Sequence, residues 1–204
     1  MQRGKISQPR ARASKVDERK GLYEWVSGEF PKVNVLVNDA GIQRVIDLKK
    51  GTVDLLSGDD EIEVNFKAYV HLAALFTPLF MGREESAIVN VSSALGFVPI
   101  AIMPIYCATK AAIHSYTMSL RHQLKGTPVK VYEVIPPTVD TDLDRGARAR
   151  RGQTERGIPS SEVVKATMAG LESDNFEIVV GEARNLRGAS GEMAQKIFEG
   201  MNRW

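Results

Sequence analysis

Three short apolar runs frame this chain: Val33–Val37, Ala87–Val91 and Val129–Ile135. The first has little polar content, as strands covered on both faces do. Each gives way to special residues: Asn38-Asp39-Ala40-Gly41 after the first, Ser92-Ser93 after the second, and Pro136-Pro137-Thr138-Val139-Asp140-Thr141 after the third. A fourth run is Phe176–Val180. The segments between them carry helical spacing. Leu22, Trp25, Val26 and Phe30 recur at helical intervals until Pro31. Asp59 and Asp60 read as an N-cap with acids in the first turn of a helix running to Phe80. Pro104 to Lys125 reads as a long helix stopped by Gly126 and Pro128. Further helices are predicted from Ser160 or Ser161 to Leu171 and from Ser190 to Met201, and the stretch from Ile42 to Ser57 reads as irregular. Helix and strand thus alternate, which predicts an α/β fold: a parallel sheet of about four strands, helices on both faces and right-handed crossovers. Ligands bind such sheets beyond the carboxyl ends of the strands, where the three special motifs stand.

The other bounds are looser. A chain of 204 residues is long enough to bury one core. A formal net charge of +2 is close to balance and does not suggest a polyanion binder, so no nucleic-acid partner is expected. Cys107 is the one cysteine, which excludes an internal disulfide and a cysteine zinc site. With no apolar leader segment, this fits a reducing, cytoplasmic setting. Residues Ala87 to Thr109 carry no formal charge, but Asn90, Ser92, Ser93, Gly96, Pro99 and Pro104 interrupt them, and Tyr69–Gly82 is too short, so no membrane span is expected. Residues 1–13 are basic and lack an acid, and read as a disordered tail ahead of one domain over 14–204. Arg145–Arg151 reads as a mobile basic loop. His71, His114 and His122 show no metal spacing, so no metal is expected, and Ser93 has no His–Asp partner set for hydrolase chemistry.

Chemistry concentrates on the long helix. Tyr106 and Lys110 are four apart and share a helical face. A phenol titrates near 10 and is a poor acid or base at neutral pH. A nearby ammonium favours the phenolate and lowers that value. A serine at the end of the neighbouring strand can hold a carbonyl or alcohol oxygen against the phenol, a plausible site for moving a proton on and off that oxygen. Asn65 sits within the preceding helix, where asparagine is a mediocre residue.

Together these residues resemble the short-chain dehydrogenase/reductase family. Asn38-Asp39-Ala40-Gly41 looks like its Asn-Asn-Ala-Gly element, Asn65 like its active-site asparagine, Ser93 like the serine thirteen residues before the tyrosine, Tyr106 and Lys110 like its Tyr-x-x-x-Lys, and Pro136–Thr141 like its Pro-Gly loop. The resemblance runs from about residue 14 to 200. The stretches Val-Ile-Pro-Pro-Thr-Val-Asp-Thr-Asp-Leu and Tyr-Cys-Ala-Thr-Lys-Ala-Ala are most similar to the DltE-like oxidoreductase branch. It implies a doubly wound, Rossmann-like sheet and hydride transfer between NAD(P)(H) and a small-molecule carbonyl or alcohol. It implies Tyr106 as acid/base, Lys110 lowering its pKa and bonding the nicotinamide ribose, and Ser93 holding the substrate oxygen. Asn65 would place a water in a proton relay. Asn38, Ala40 and Gly41 would lie near the adenosine end of the cofactor, and Thr141 with the backbone at Val139 would bond the carboxamide. The helices at 59–80 and 104–125 would form a homo-oligomer interface.

The chain departs from the family in one large respect. Members open with a strand, a Gly-x-x-x-Gly-x-Gly turn and a helix whose N-terminus holds the pyrophosphate, and no such glycine spacing occurs in this sequence. The resemblance therefore implies a partial sheet without the family's first three strands. It leaves Val33–Val37 as an open apolar edge, with Arg12 near the place of the acid that contacts adenine. NAD and NADP are not distinguished. Asp39 replaces the family's second asparagine, and Pro137 replaces a glycine, as in the DltE-like branch. Two functions remain open on the sequence: an oxidoreductase, or a non-catalytic truncated fragment or pseudoenzyme able at most to bind partner subunits.

Overall fold

The computed structural model describes residues 11–143 and 156–203. Four parallel strands form the main sheet: β1 (Val35–Asn38), β2 (Ser86–Val91), β3 (Val129–Ile135) and β6 (Glu177–Val179), side by side in that order. A two-stranded parallel pair, β4 (Val139–Asp140) and β5 (Ile158–Pro159), lies apart from it. The helices are α1 (Val16–Glu29), α2 (Val53–Leu56), α3 (Ala68–Met81), α4 (Pro104–Gln123), α5 (Ser160–Glu172), α6 (Ala183–Arg187) and α7 (Gly191–Met201). This is the partial doubly wound parallel sheet expected from the alternation. The β4–β5 pair, α2 and α6 were not legible in the pattern, and the first strand begins two residues later than the apolar run. The basic loop expected at Arg145–Arg151 lies outside the described residues, as do residues 1–10 of the expected tail. Arg12 and Ala13 are bonded: Arg12 Nε donates to Glu18 Oε1 at 2.8 Å, and Ala13 O accepts from Arg19 Nη1 at 2.8 Å.

Each strand offers alternate residues to opposite faces. On one face Ile88, Val129 and Val131 meet Ala73, Phe76 and Phe80 of α3 and Leu120 of α4. Each such apolar side chain is worth roughly 1.5–3 kcal/mol when fully buried, which anchors both helices. On the other face Val89, Tyr132, Val134 and Ile178 meet Val163, Ala166 and Leu171 of α5. That cover stops short of β1, where Val35 and Val37 are 44% and 57% exposed. Among the described residues no strand pairs with the outer side of β1, so the open apolar edge anticipated at this strand is present there.

Toward the carboxyl ends the α3–α4 face changes character. The register pairs Asn38 with Asn90, Asn90 with Glu133, and Glu133 with Glu177. Four polar side chains thus cross the whole sheet in one row beneath α4. Asn38 Nδ2 donates to Asn90 Oδ1 at 2.9 Å, and Asn90 Nδ2 donates to Thr117 Oγ1 of α4 at 3.0 Å. No helix among the described residues is long and apolar enough to cross a membrane.

Candidate active site

The helix entering α3 carries an irregularity. Asp60 caps it as expected, its Oδ1 accepting from Ile62 N–H at 2.8 Å and Glu63 N–H at 3.2 Å. Residues Glu63–Lys67 then form one π-turn, in which Ala68 N–H bonds to Glu63 O. Such single turns concentrate at functional sites. Asn65 is inside it and fully buried. Its Oδ1 accepts from Ile42 N–H at 2.8 Å, and its Nδ2 donates to Ile42 O at 2.9 Å and Thr109 Oγ1 at 3.2 Å. Both amide protons are therefore used, clasping the backbone just beyond Gly41. Thr109 in turn donates to Tyr106 O at 2.7 Å, tying Asn65 to the first turn of α4.

Tyr106 and Lys110 occupy one buried face of α4. The Lys110 ammonium lies 5.7 Å from the Tyr106 ring centre and 5.6 Å from that of Tyr69. It donates to Val91 O at 2.8 Å, an acceptor shared with the Tyr69 hydroxyl at 3.4 Å. Burial pulls the Lys110 pKa down to about 8, against the opposing pull of the Asp39 carboxylate. It stays mainly charged at pH 7. Burial also pushes the Tyr69 phenol well up, which keeps it protonated. Tyr69 was missed by the sequence reading, although it stands four residues after Asn65.

Ser93 follows the end of β2, buried, and caps the 3-10 turn Ala94–Gly96 by accepting from Leu95 N–H at 3.2 Å. That turn packs directly on α4. A β-carbon on Gly96 would meet Lys110 C at 2.9 Å and Ala111 N at 3.0 Å, so only glycine permits the approach. Gly41 adjoins the same cluster: a β-carbon there would stand 3.6 Å from Asn65 Oδ1 and 3.8 Å from Lys110 Nζ. Asn65, Ser93, Tyr106, Lys110 and Gly41 are thus brought to one end of the sheet.

The remaining expected residues lie around this cluster. Asn38 is buried and bonded to Asn90, while Ala40 is exposed. Asn38, Asp39 and Ala40 line a cavity of about 200 Å³ with Arg12, Arg19 and Tyr69. Val139 belongs to the separate β4–β5 pair. Thr141 is exposed, its hydroxyl accepting from Leu143 N–H at 3.4 Å. The apolar side chains between Leu95 and Ile102 divide into two groups. Leu95, Ile100 and Ile102 pack on Met103, Tyr106 and Cys107. Phe97 and Val98 instead line a space of about 320 Å³ against α7. Burial lifts the Cys107 thiol to about 11, so it is not a thiolate at neutral pH.

A family model for short chain dehydrogenases matches residues 4–152. The uncharacterized oxidoreductase DltE of Bacillus subtilis is 51% identical over 185 residues, covering 91% of this chain and 73% of DltE. The 1-deoxy-11-beta-hydroxypentalenate dehydrogenase of Streptomyces avermitilis is 34% identical over 159 residues, covering 77% of this chain and 59% of that enzyme. The chain therefore spans roughly three-fifths to three-quarters of the length of these relatives. Among solved structures, a Burkholderia phymatum short chain dehydrogenase/reductase in complex with NAD superposes with a TM-score of 0.76 at 24% identity, over 86% of this chain and 71% of that one. A Burkholderia cenocepacia short chain dehydrogenase in complex with NADP gives 0.74 at 24% identity, over 93% and 77%. On the family match and the relation to DltE, this chain belongs to the short chain dehydrogenases.

Proposed function

We propose that this protein catalyses reversible hydride transfer between a nicotinamide cofactor and a small carbonyl or alcohol, with Tyr106 as the acid/base. The observation that carries the reading is the burial of the Lys110 ammonium beside the Tyr106 ring, at the carboxyl end of the strand that leads into Ser93. Tyr106 gives its hydroxyl proton to the substrate oxygen in reduction and takes it back in oxidation. The charge on Lys110 favours the phenolate that results. The Ser93 oxygen accepts from Leu95 N–H, which leaves its own O–H to donate to the substrate oxygen and the charge developing on it. Asn65 acts by position. Its side chain is committed to Ile42 and Thr109, so any water it places is held by the backbone around the π-turn, where bonding is looser than in an α-helix.

The nicotinamide cofactor supplies the hydride when bound. The residues present fit parts of it. Lys110 and Tyr106 suit the nicotinamide ribose, and Thr141 with the Val139 backbone the carboxamide. The cavity at Asn38 to Ala40 suits the adenosine end, with Asn38 Oδ1 buried and without a hydrogen-bond partner among the described residues. Gly41 leaves close access between Asn65 and Lys110. The glycine turn that usually grips the pyrophosphate is not in this sequence, so binding is the first quantity to measure. Nicotinamide fluorescence and thermal shift with NADH and NADPH should show saturable binding. Turnover with a panel of aldehydes and ketones should fall about 10²–10⁴-fold in Tyr106→Phe while binding persists. Well-folded protein that binds neither nucleotide overturns the reading. Assembly through the outer faces of α3 and α4 is part of it, since Met81 and Met118 are 45% and 53% exposed there.

A further inference from the structure

Glu133 breaks the apolar pattern of the central strand β3 and is fully buried. Removing a carboxylate from water is costly unless each oxygen finds a donor. Here both do. Ser92 Oγ donates to Glu133 Oε1 at 2.6 Å, and His114 Nδ1 lies 2.8 Å from Oε2. Glu133 accepts there, so Nδ1 carries the proton. One carboxylate therefore joins the end of β2, at the residue next to Ser93, to α4. His114 follows Tyr106 and Lys110 at intervals of four, on the same helical stripe.

The surroundings close the link. The charged groups facing His114 are Glu133 of β3 and Glu177 of β6, whose carboxylate is held by Arg187 at 2.8 and 3.1 Å. The ring of Phe97, just after the turn that Ser93 caps, lies edge-on to His114 at 4.7 Å, with Arg187 stacked on Phe97 at 4.8 Å. His114, Glu133 and Glu177 bring ligand atoms within 4.8 Å of one another. Ser92 and the Arg187 fork already occupy those carboxylates, so the cluster reads as a closed clamp and not as a metal site.

We propose that Glu133 is a positioning residue for the candidate site: through Ser92 and His114 it fixes the end of β2 against α4, and so fixes Ser93 relative to Tyr106 and Lys110. The inference rests on the reading of Ser93 and Tyr106 given above. Its geometry is testable without turnover. The test compares Glu133→Gln, which keeps volume but turns both charge-assisted bonds into weaker neutral ones and can meet His114 only with the bond reversed, with Glu177→Gln. The latter removes the same charge from the same row without touching Ser92. Native-state hydrogen exchange reads the Leu95 amide, which is bonded to Ser93 Oγ. Its protection should fall tenfold or more in Glu133→Gln and stay within twofold of wild type in Glu177→Gln. Imidazole ¹⁵N shifts should show His114 losing its Nδ1–H tautomer in Glu133→Gln alone. Where NADPH- or NADH-dependent carbonyl reduction is measured, Glu133→Gln should lower kcat about tenfold with KM for the nucleotide unchanged. Equal effects from both variants, or unchanged Leu95 protection in Glu133→Gln, overturn the clamp. Absence of turnover in wild type with the exchange result intact would overturn the oxidoreductase reading and leave the clamp standing.

Discussion

Replacing Lys110 by methionine should make this protein more stable while removing the proposed activity. Lys110 is 4% exposed, and its ammonium has Val91 O as acceptor and two tyrosine rings at 5.6 and 5.7 Å. These contacts do not replace the lost water, since burial lowers its pKa from the ordinary 10.5 to about 8. That fall is equivalent to about 3 kcal/mol against the charged form at pH 7. Methionine fills similar volume without the charge. It gives up the bond to Val91 O, worth about 1 kcal/mol, though that oxygen keeps the Tyr69 hydroxyl. The net expectation is about 2 kcal/mol of added stability, or roughly 4–8 °C in Tm for a chain of this size. The sign with pH follows from the depressed value. Between pH 8 and 10.5 the unfolded chain holds a proton on Lys110 that the folded chain has lost, so wild-type stability gains from this group as pH rises. The advantage of Lys110→Met is therefore full below pH 8 and shrinks towards 10.5. Urea unfolding of both proteins from pH 6.5 to 10, followed by circular dichroism, measures the difference, and contributions from other groups cancel in it. A variant less stable than wild type at pH 7, or a gap that does not narrow above pH 8, refutes the account of Lys110 as a strained buried cation.

Two further substitutions probe how the site is held. Asn65→Ala removes three hydrogen bonds, two to Ile42 and one to Thr109. It should cost about 2–4 kcal/mol and speed hydrogen exchange at the Ile42 amide at least tenfold; an unchanged exchange rate would show that the clasp is not what orders this loop. Gly96→Ala sets a methyl carbon 2.9–3.1 Å from the Lys110 and Ala111 backbone and should lose about 1–3 kcal/mol by overpacking. Gly28→Ala in α1, with open space around it, should instead gain up to about 1 kcal/mol, and equal effects in urea titrations would refute the close-approach argument.

The sequence showed the elements whose cause is local. Asp60 capped its helix, Gly126 adopted φ 81° after α4, and β3 had the bounds of its apolar run. The spacing of Tyr106 and Lys110 carried their shared face because helical geometry alone dictates it. The features that escaped depend on distant partners. The π-turn at Glu63–Lys67 exists where Asn65 turns inward to Ile42, 23 residues away in the chain. Glu133 gave no signal in the sequence because its partners, Ser92 and His114, are 41 and 19 residues away. Tyr69 was within reach of reasoning, since a helix that buries Asn65 also buries the residue four later. Strands of two residues such as β4 have no periodicity to detect.

Where local rules fail in this chain is itself informative. An asparagine inside a helix, a glutamate inside a central strand and a lysine without water are each unfavourable on their own terms. Natural sequences tend to keep such conflicts for places where function needs them. In this protein Asn65, Glu133 and Lys110 lie on the upper half of the α3–α4 face, above Ile88, Val129 and Val131, where the packing is apolar apart from Ser86, whose hydroxyl bonds to backbone carbonyls. The row Asn38, Asn90, Glu133 and Glu177 marks the level at which the change occurs on all four strands. Below it hydrophobic burial dominates, which tolerates sliding, and Arg121 adds bonds to Val131 O and Phe176 O at 2.8 Å. At and above it α4 is held by directed bonds between its Thr117, His114 and Lys110 and the strands. The proposed proton-transfer site needs its hydroxyls fixed to within a fraction of an ångström, and the change from apolar to hydrogen-bonded contact supplies that constraint on the helix that carries Tyr106.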